Sequence, residues 1–317
     1  MRACLNLFAL AALLLVAGTA AAQPQGFDLQ GHRGARGLEP ENTLAAFTRA
    51  LDIGVTTLEL DIGITRDGEV VIHHDERLNP AITRDAGGAW IAAPGPRIRD
   101  LRMKEIAAYN VGGIKPGSAY AAQFPEQAAR EHQGIPRLAD LFELVRRRGD
   151  TRVRFNIETK LTPDHPEDTV SPRPMVDALL KVIVQYGLEG RVTIQSFDWR
   201  TLQIVQARRP AIPTVCLTAR LQNFNTVAPA WNAGLVLSGT VPQLAGRARC
   251  AAWSPNHQDV SAEALADAHA LGLRVIPWTV NRTADMERMI ALGVDGMITD
   301  RPDVARALLA ARNIELR

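Results

Sequence analysis

The chain has 317 residues, with 36 basic against 34 acidic side chains and a net charge of +2. That balance offers no basic footprint for nucleic acid or an anionic membrane surface, and the length suits one large α/β domain with a sizeable core. The basic side chains are nearly all arginine; lysine occurs only at Lys104, Lys115, Lys160 and Lys181.

Arg2, an apolar run from Leu5 to Val16 and small residues at Ala20, Ala21 and Ala22 read as a secretory signal peptide over residues 1–22. The run is shorter than the roughly 20 residues that span a bilayer, so no stable membrane insertion is expected. No cysteine sits at the cleavage site, which speaks against a lipid anchor. Residues 23–317 are then a secreted or periplasmic domain.

In "GFDLQGHR" the pattern predicts a first strand. "PENTLAAFTRALDIG" predicts a helix, with Pro40 and Glu41 in its first turn, Leu44, Phe47 and Leu51 on one face, and Gly54 closing it. "TTLELDIG" is a second strand, and "EVVIHHD" a short one after the turn "TRDG". Residues 76–137 are rich in Gly, Pro and Ala, too long for a plain loop, and read as a small inserted subdomain over one face.

Alternation then resumes. "RLADLFELVRRRG", "PMVDALLKVIVQYG" and "WRTLQIVQARR" are helices between the strands "TRVRFNIETK", "RVTIQSF" and "IPTVCLT". Residues 219–248 carry no clear pattern. "RCAAWSPN", "LRVIPWTV" and "VDGMIT" complete the strands, with helices after each. Eight principal strands, each followed by helix-length sequence, predict an α/β fold: a closed (β/α)8 TIM barrel with the insertion after the second strand. An open doubly wound sheet fits less well. "GHRGARG" places charged residues where a phosphate-binding turn needs bare backbone.

Active sites of parallel barrels lie at the carboxyl ends of the strands, and the unusual residues fall there. His32 and Arg33 end the first strand, Glu59 and Asp61 the second, Glu158 and Lys160 the third, and Trp278 lies near the end of the seventh. Strand residues two apart share a face, so Glu59 projects with Asp61 and Glu158 with Lys160. Three carboxylates in one mouth would repel each other. One hard divalent cation, Ca²⁺ or Mg²⁺, resolves this better than zinc. His32 and one of the adjacent pair His73 and His74 are candidates for proton transfer; spacing alone does not choose within the pair. Glu41 reads as helix first-turn charge or a partner of Arg33, Asp75 as a strand-end or tautomer-fixing group, and Asn281 as a helix cap. Trp90, Trp199 and Trp231 read as packing. Cys216 and Cys250 sit in apolar surroundings, either bridged or as two buried thiols.

The series "HRG…PENT", "LELDIGITRDGEVVIHHD", "IETK", "SFD" and "WTVN", from Gly31 to Pro302, closely resembles the glycerophosphodiester phosphodiesterase family. The resemblance implies a TIM barrel, a divalent cation, and hydrolysis of small glycerophosphodiesters to glycerol 3-phosphate and an alcohol. By motif, it puts the metal ligands on Glu59, Asp61 and Glu158. The catalytic histidines fall on His32 and His74, the residue directly before Asp, rather than His73. Arg33 and Lys160 would meet the phosphate, and Phe197 and Trp278 would line the pocket. The implied route runs through a cyclic phosphate, one histidine taking the glycerol proton and the other protonating the departing alkoxide. The resemblance does not order them, and we assign His32 as first base and His74 as first acid. Two other readings keep the barrel: a phospholipase acting on lysophospholipids or phosphoinositides, and a non-catalytic binder of phosphate esters.

Overall fold

A computed structural model describes residues 26–317; the expected signal peptide and its cleavage site lie outside the described residues. The strands in chain order are β1 (Asp28–Gly31), β2 (Thr57–Ile64), β3 (Val70–Ile72), β4 (Arg154–Thr159), β5 (Val192–Ser196) and β6 (Thr214–Thr218). A hairpin of β7 (Arg220–Leu221) and β8 (Phe224–Asn225) precedes β9 (Ala252–Pro255), β10 (Arg274–Val275) and β11 (Gly296–Thr299). Eight of them pair in parallel in the order β10-β9-β6-β5-β4-β2-β1-β11, and β3 folds back antiparallel on β2. This is the predicted α/β barrel. Its seam lies between β10 and β11, where Pro277 has no N–H to continue the ladder. Asp295 N still donates to Val275 O at 3.0 Å, and Ile298 N to Pro277 O at 2.9 Å.

The helix after β1, α1, spans Leu44–Ile53, not the longer stretch from Pro40. Thr43 caps it by accepting from Ala46 N, so Pro40 and Glu41 stand before the helix. That frees Glu41 from the first-turn role the sequence suggested. Gly54 closes α1 at φ 83°, a conformation only glycine adopts without strain.

Between β3 and the next long helix lie a 3-10 turn at Ile98–Asp100 and two short α-helices, α2 (Met103–Ile106) and α3 (Ala119–Gln123). This stretch is held by a small apolar cluster that includes Leu78, Ile98, Ile106, Val111 and Ile135 and rests on Val71 of β3. The remaining outer helices are α4 (Leu138–Arg147), α5 (Pro172–Gln185), α6 (Trp199–Arg208), α7 (Val241–Arg247), α8 (Ala262–Ala270), α9 (Thr283–Leu292) and α10 (Pro302–Ala311). Each barrel strand is thus followed by one of these helices or α1. Among the described residues no helix is long and apolar enough to cross a membrane.

The main core lies between strands and helices, where Leu29, Phe47, Phe155 and Trp253 are buried. The barrel interior divides. Val215, Ala252, Ile276 and Ile298 fill one side, whereas Gln30, Thr57, Asn156 and Gln195 occupy the other, all buried. Cys216 of β6 and Cys250, just before β9, form a disulfide with Cα atoms 5.8 Å apart. These strands are neighbours in the sheet, which brings the two thiols together.

Candidate active site

The corner after β1 is built from backbone that few residues tolerate. Arg33 (φ 50°) and Asn42 (φ 56°) are left-handed, and Gly34 sits at φ 87°. A Cβ on Gly34 would come within 2.6 Å of the Ala46 backbone, so the corner packs directly on α1. Non-glycine residues held in this region mark places where surrounding contacts over-determine the chain. Here the contacts are with acids. Arg33 N donates to Glu59 Oε2 at 2.9 Å, and Arg33 Nη1 to Glu41 Oε1 at 2.9 Å. Arg33 Nε lies 3.3 Å from Asp61 Oδ2 without hydrogen-bond alignment. Asn42 Nδ2 donates to that same Oδ2 at 3.0 Å.

Strand register gathers the acids. Asp61 stands directly opposite Glu158 in the parallel β2–β4 ladder, with Glu59 two residues earlier on the same face. Glu59, Asp61 and Glu158 each offer an oxygen within 4.8 Å of the others, and all three are buried. Burial pushes Glu59 well above its ordinary range, and the Asp61 charge adds to this. Glu158 is pushed up to about 7 by burial and by Asp61, against the pull of Lys160. Burial also pushes Asp61 up, but His74 in its protonated form, with the charges of Arg33 and Lys160, outweighs it and holds Asp61 low. Asp61 Oδ1 is buried with no hydrogen-bond partner. An orphaned carboxylate oxygen inside a ring of carboxylate oxygens fits a hard divalent cation.

Two imidazoles face this ring. His32 Nδ1 meets Asp300 Oδ1 at 2.6 Å, and its Nε2 lies 3.9 Å from Glu59 Oε2. Burial lowers the His32 pKa more than Asp300 raises it. Asp300 is held low, because Arg36 and His32 outweigh its burial. With Asp300 ionised, His32 carries its proton on Nδ1 and a lone pair on Nε2. His74 repeats the pattern: Nδ1 meets Asp75 Oδ1 at 2.6 Å and Nε2 meets Lys160 Nζ at 3.1 Å. Burial, then the Arg33 and Lys160 charges, bring His74 down to about 4. His73 points elsewhere: its Nδ1 meets the Asp75 carbonyl at 2.9 Å and its Nε2 is buried without a partner.

His32, His74, Lys160, Phe197 and Trp278 line one cavity of about 220 Å³, together with Arg33 and two of the acids. Lys160 Nζ pairs with Glu158 Oε1 at 2.9 Å and lies 5.9 Å above the Phe197 ring. Phe197 meets Trp278 edge-on, with centroids 5.3 Å apart. Every residue singled out from the strand ends and motifs is therefore brought to one mouth. Trp199 and Trp231 are buried, and Trp90 lies under the Arg84 guanidinium at 4.5 Å.

Asn281 does not cap a helix. Arg282 is the residue before α9, and Asn281 Nδ2 donates to Asp300 Oδ2 at 2.6 Å. Asp300 itself escaped the sequence reading, although it follows the last strand in "ITDRP". The strand-end rule that picked out His32 applies to it equally. Tyr120 of α3 donates to Glu41 Oε2, a contact with no local signal because 79 residues separate the two.

Residues 32–304 match the model of the Glycerophosphoryl diester phosphodiesterase family. A glycerophosphodiester phosphodiesterase of Caldanaerobacter subterraneus subsp. tengcongensis is 32% identical over 272 residues, covering 86% of this chain and 93% of that one. The crystal structure of a candidate glycerophosphoryl diester phosphodiesterase from Silicibacter pomeroyi DSS-3 superposes with a TM-score of 0.84 at 34% identity, over 93% of this chain and 97% of that one. An Oleispira antarctica phosphodiesterase, solved with sn-glycerol-3-phosphate, shares the fold at TM-score 0.66 and 21% identity, over 90% of this chain and 97% of that one.

Proposed function

This chain belongs to the Glycerophosphoryl diester phosphodiesterase family and is a phosphoric diester hydrolase; we propose that it cleaves small glycerophosphodiesters to glycerol 3-phosphate and an alcohol with one divalent cation and a histidine pair. The observation that carries this reading is the placement of three acids, with oxygens within 4.8 Å of one another, two of which line the same small cavity as two imidazoles. A phosphate-ester binder would have no use for two imidazoles whose Nδ1 atoms are each fixed by a carboxylate at 2.6 Å.

Glu59, Asp61 and Glu158 would hold Ca²⁺ or Mg²⁺. Bound there, the cation would polarise a nonbridging phosphate oxygen and offset charge that develops on it. His32 Nε2 takes the proton from the glycerol hydroxyl next to the phosphoester. That oxygen attacks phosphorus, and His74 gives a proton to the departing alkoxide. Water then opens the cyclic phosphate, with the two histidines exchanging roles. Because His74 is neutral in the substrate-free site, it must first gain a proton. A phosphodiester anion drawing the Lys160 ammonium away from His74 Nε2 supplies the reason it can. Arg33 is spent on Glu41 and Asp61, so its part is to set the acids as much as to meet phosphate. Phe197 and Trp278 wall the organic part of the substrate.

The leader composition and the Cys216–Cys250 bridge support an exported, secreted or periplasmic enzyme. We further read residues 23–317 as one domain carrying an insertion at about 76–137. The test is release of glycerol 3-phosphate from glycerophosphocholine by the purified chain, with chelator and then Ca²⁺ or Mg²⁺ added back. Release that stops with chelator and returns with either ion is expected. Product formation unaffected by chelator, or none on any glycerophosphodiester, would refute the reading.

A further inference from the structure

We infer that Gln195 and Asn156 are positioning residues that fix Glu59 for the cation through a chain of amides in the barrel interior; the inference rests on the metal site proposed above. Barrel interiors are ordinarily filled by branched aliphatic side chains, and a buried amide is costly unless its hydrogen bonds are made. Here the polar side of the interior makes them in one connected column. Gln195 Nε2 donates to Glu59 Oε1 at 2.7 Å. Asn156 Nδ2 donates to Gln195 Oε1 at 2.8 Å and to Gln30 Oε1 at 2.9 Å. Gln30 Nε2 donates to Asp28 Oδ2 at 3.2 Å, and Thr57 Oγ1 holds Asp28 Oδ1 at 2.7 Å.

The orientation of each amide follows from the ends of the column. A carboxylate that holds a cation is ionised and only accepts, so for Glu59 to serve as a ligand each glutamine turns its NH₂ to its own carboxylate and its oxygen inward. Both inward oxygens then need a donor, and the one NH₂ of Asn156 serves both. Turning any single amide around leaves two like groups facing each other in a buried site, which is costly. Thr193 Oγ1 donates to Asn156 Oδ1 at 2.9 Å; a hydroxyl can donate or accept, so this contact serves either orientation and the two glutamines alone set it. Glu59 is thus gripped on both oxygens, by Gln195 from below and by Arg33 N from the side at 2.9 Å. Asp61 Oδ1, by contrast, accepts no hydrogen bond, with only Lys160 Nζ near it at 4.0 Å. Glu59 is the fixed ligand against which the other two acids close.

The test is the dissociation constant of Mg²⁺ and of Ca²⁺ for the metal-free full chain, by calorimetry. Gln195→Met removes the donor at similar size. Asn156→Asp replaces the shared NH₂ with a carboxylate, so both glutamines must turn and Gln195 then points its oxygen at Glu59. Both should weaken binding about 10- to 100-fold. Thr193→Val touches the same Asn156 but spares both of its donor bonds, and should stay within about twofold. Gln195→Asn, which keeps the amide but shortens its reach, takes the place of Gln195→Met if that variant does not fold. Unchanged affinity in the Gln195 and Asn156 variants would overturn the inference, as would an equal loss in Thr193→Val, which would indicate general core damage. If the unaltered chain binds neither ion, the metal reading fails instead. A crystal structure of the Gln195 variant then decides: a Glu59 carboxylate moved by more than about 0.5 Å supports positioning, and an unmoved one refutes it.

Discussion

His32 Nδ1 and Asp300 Oδ1 stand 2.6 Å apart across 268 residues of chain, joining the exits of the first and last barrel strands. Asp300 also takes Arg36 on both oxygens, at 2.9 and 3.0 Å, and Asn281 at 2.6 Å. His32 therefore has one tautomer and one ring orientation. Asp300→Asn should lower kcat about 10²- to 10⁴-fold on glycerophosphocholine while leaving cation affinity nearly intact. A variant with normal kcat would remove Asp300 from the catalytic arrangement.

The two imidazoles should separate chemistry from metal binding. His32→Ala and His74→Ala are each expected to abolish turnover, yet to bind Mg²⁺ or Ca²⁺ as the unaltered protein does. Glycerol 3-phosphate assays paired with calorimetry read both quantities. His73→Ala should retain most activity, since His73 is turned to the Asp75 carbonyl. Loss of turnover in His73→Ala alone would reverse the choice between the neighbours.

Removing an acid should do the opposite. Asp61→Asn and Glu158→Gln each delete one charged oxygen from the ring of three. Cation affinity should fall more than about tenfold in either, and activity should recover in part at high metal concentration. Measured dissociation constants that match the unaltered chain would place the cation elsewhere.

Acid should compete with the cation at Glu158. Burial and the Asp61 charge raise this carboxyl to about 7 in the metal-free site, so below that pH a proton must leave before metal enters. Affinity should fall by about tenfold per pH unit or more below 7, since the Glu59 carboxyl is raised as well, with proton release on binding near pH 6. The same shift has a stability consequence of definite sign. The folded pKa lies above the unfolded one, so the metal-free fold binds this proton more tightly than the unfolded chain. Its stabilising effect is full below the unfolded pKa and is lost as pH rises through about 7. Thermal melts from pH 5 to 8 should therefore show a growing gain on adding cation. A gain that shrinks over that range would contradict the assignment.

The bridge between Cys216 and Cys250 closes a loop with a sequence separation of 34. Chain-entropy arguments assign such a loop about 2–4 kcal/mol. Reduction, or the double change Cys216→Ser with Cys250→Ser, should lower urea stability by about that amount and leave KM little changed. An unaltered urea midpoint would mean the bridge does not form in solution.

Much of this site is written in short-range patterns. Period-two alternation puts Glu59 with Asp61, and Glu158 with Lys160, on one face whatever the rest of the chain does. Alternating strand and helix signals require a parallel sheet, and parallel sheets collect function at strand ends. The motif series then singles out His74 over His73, which spacing alone leaves open. Local reading failed where the partner is distant or where a segment has no period. Glu41 looked like helix charge because it precedes an amphipathic run, but Thr43 takes the cap, and Glu41 answers to Arg33 and Tyr120 instead. Asn281 looked like a cap for the same reason and holds Asp300.

By itself the sequence determined the barrel, the faces of its strands and the residue types at its mouth, because those depend on periodicities spanning a few residues. Only the tertiary structure decided which groups complete one another. It joined Asp300 to His32, Cys216 to Cys250, and Gln195 through Asn156 to Gln30. Such pairs depend on strand register and on closure between β1 and β11, contacts whose sequence separation no local pattern can encode.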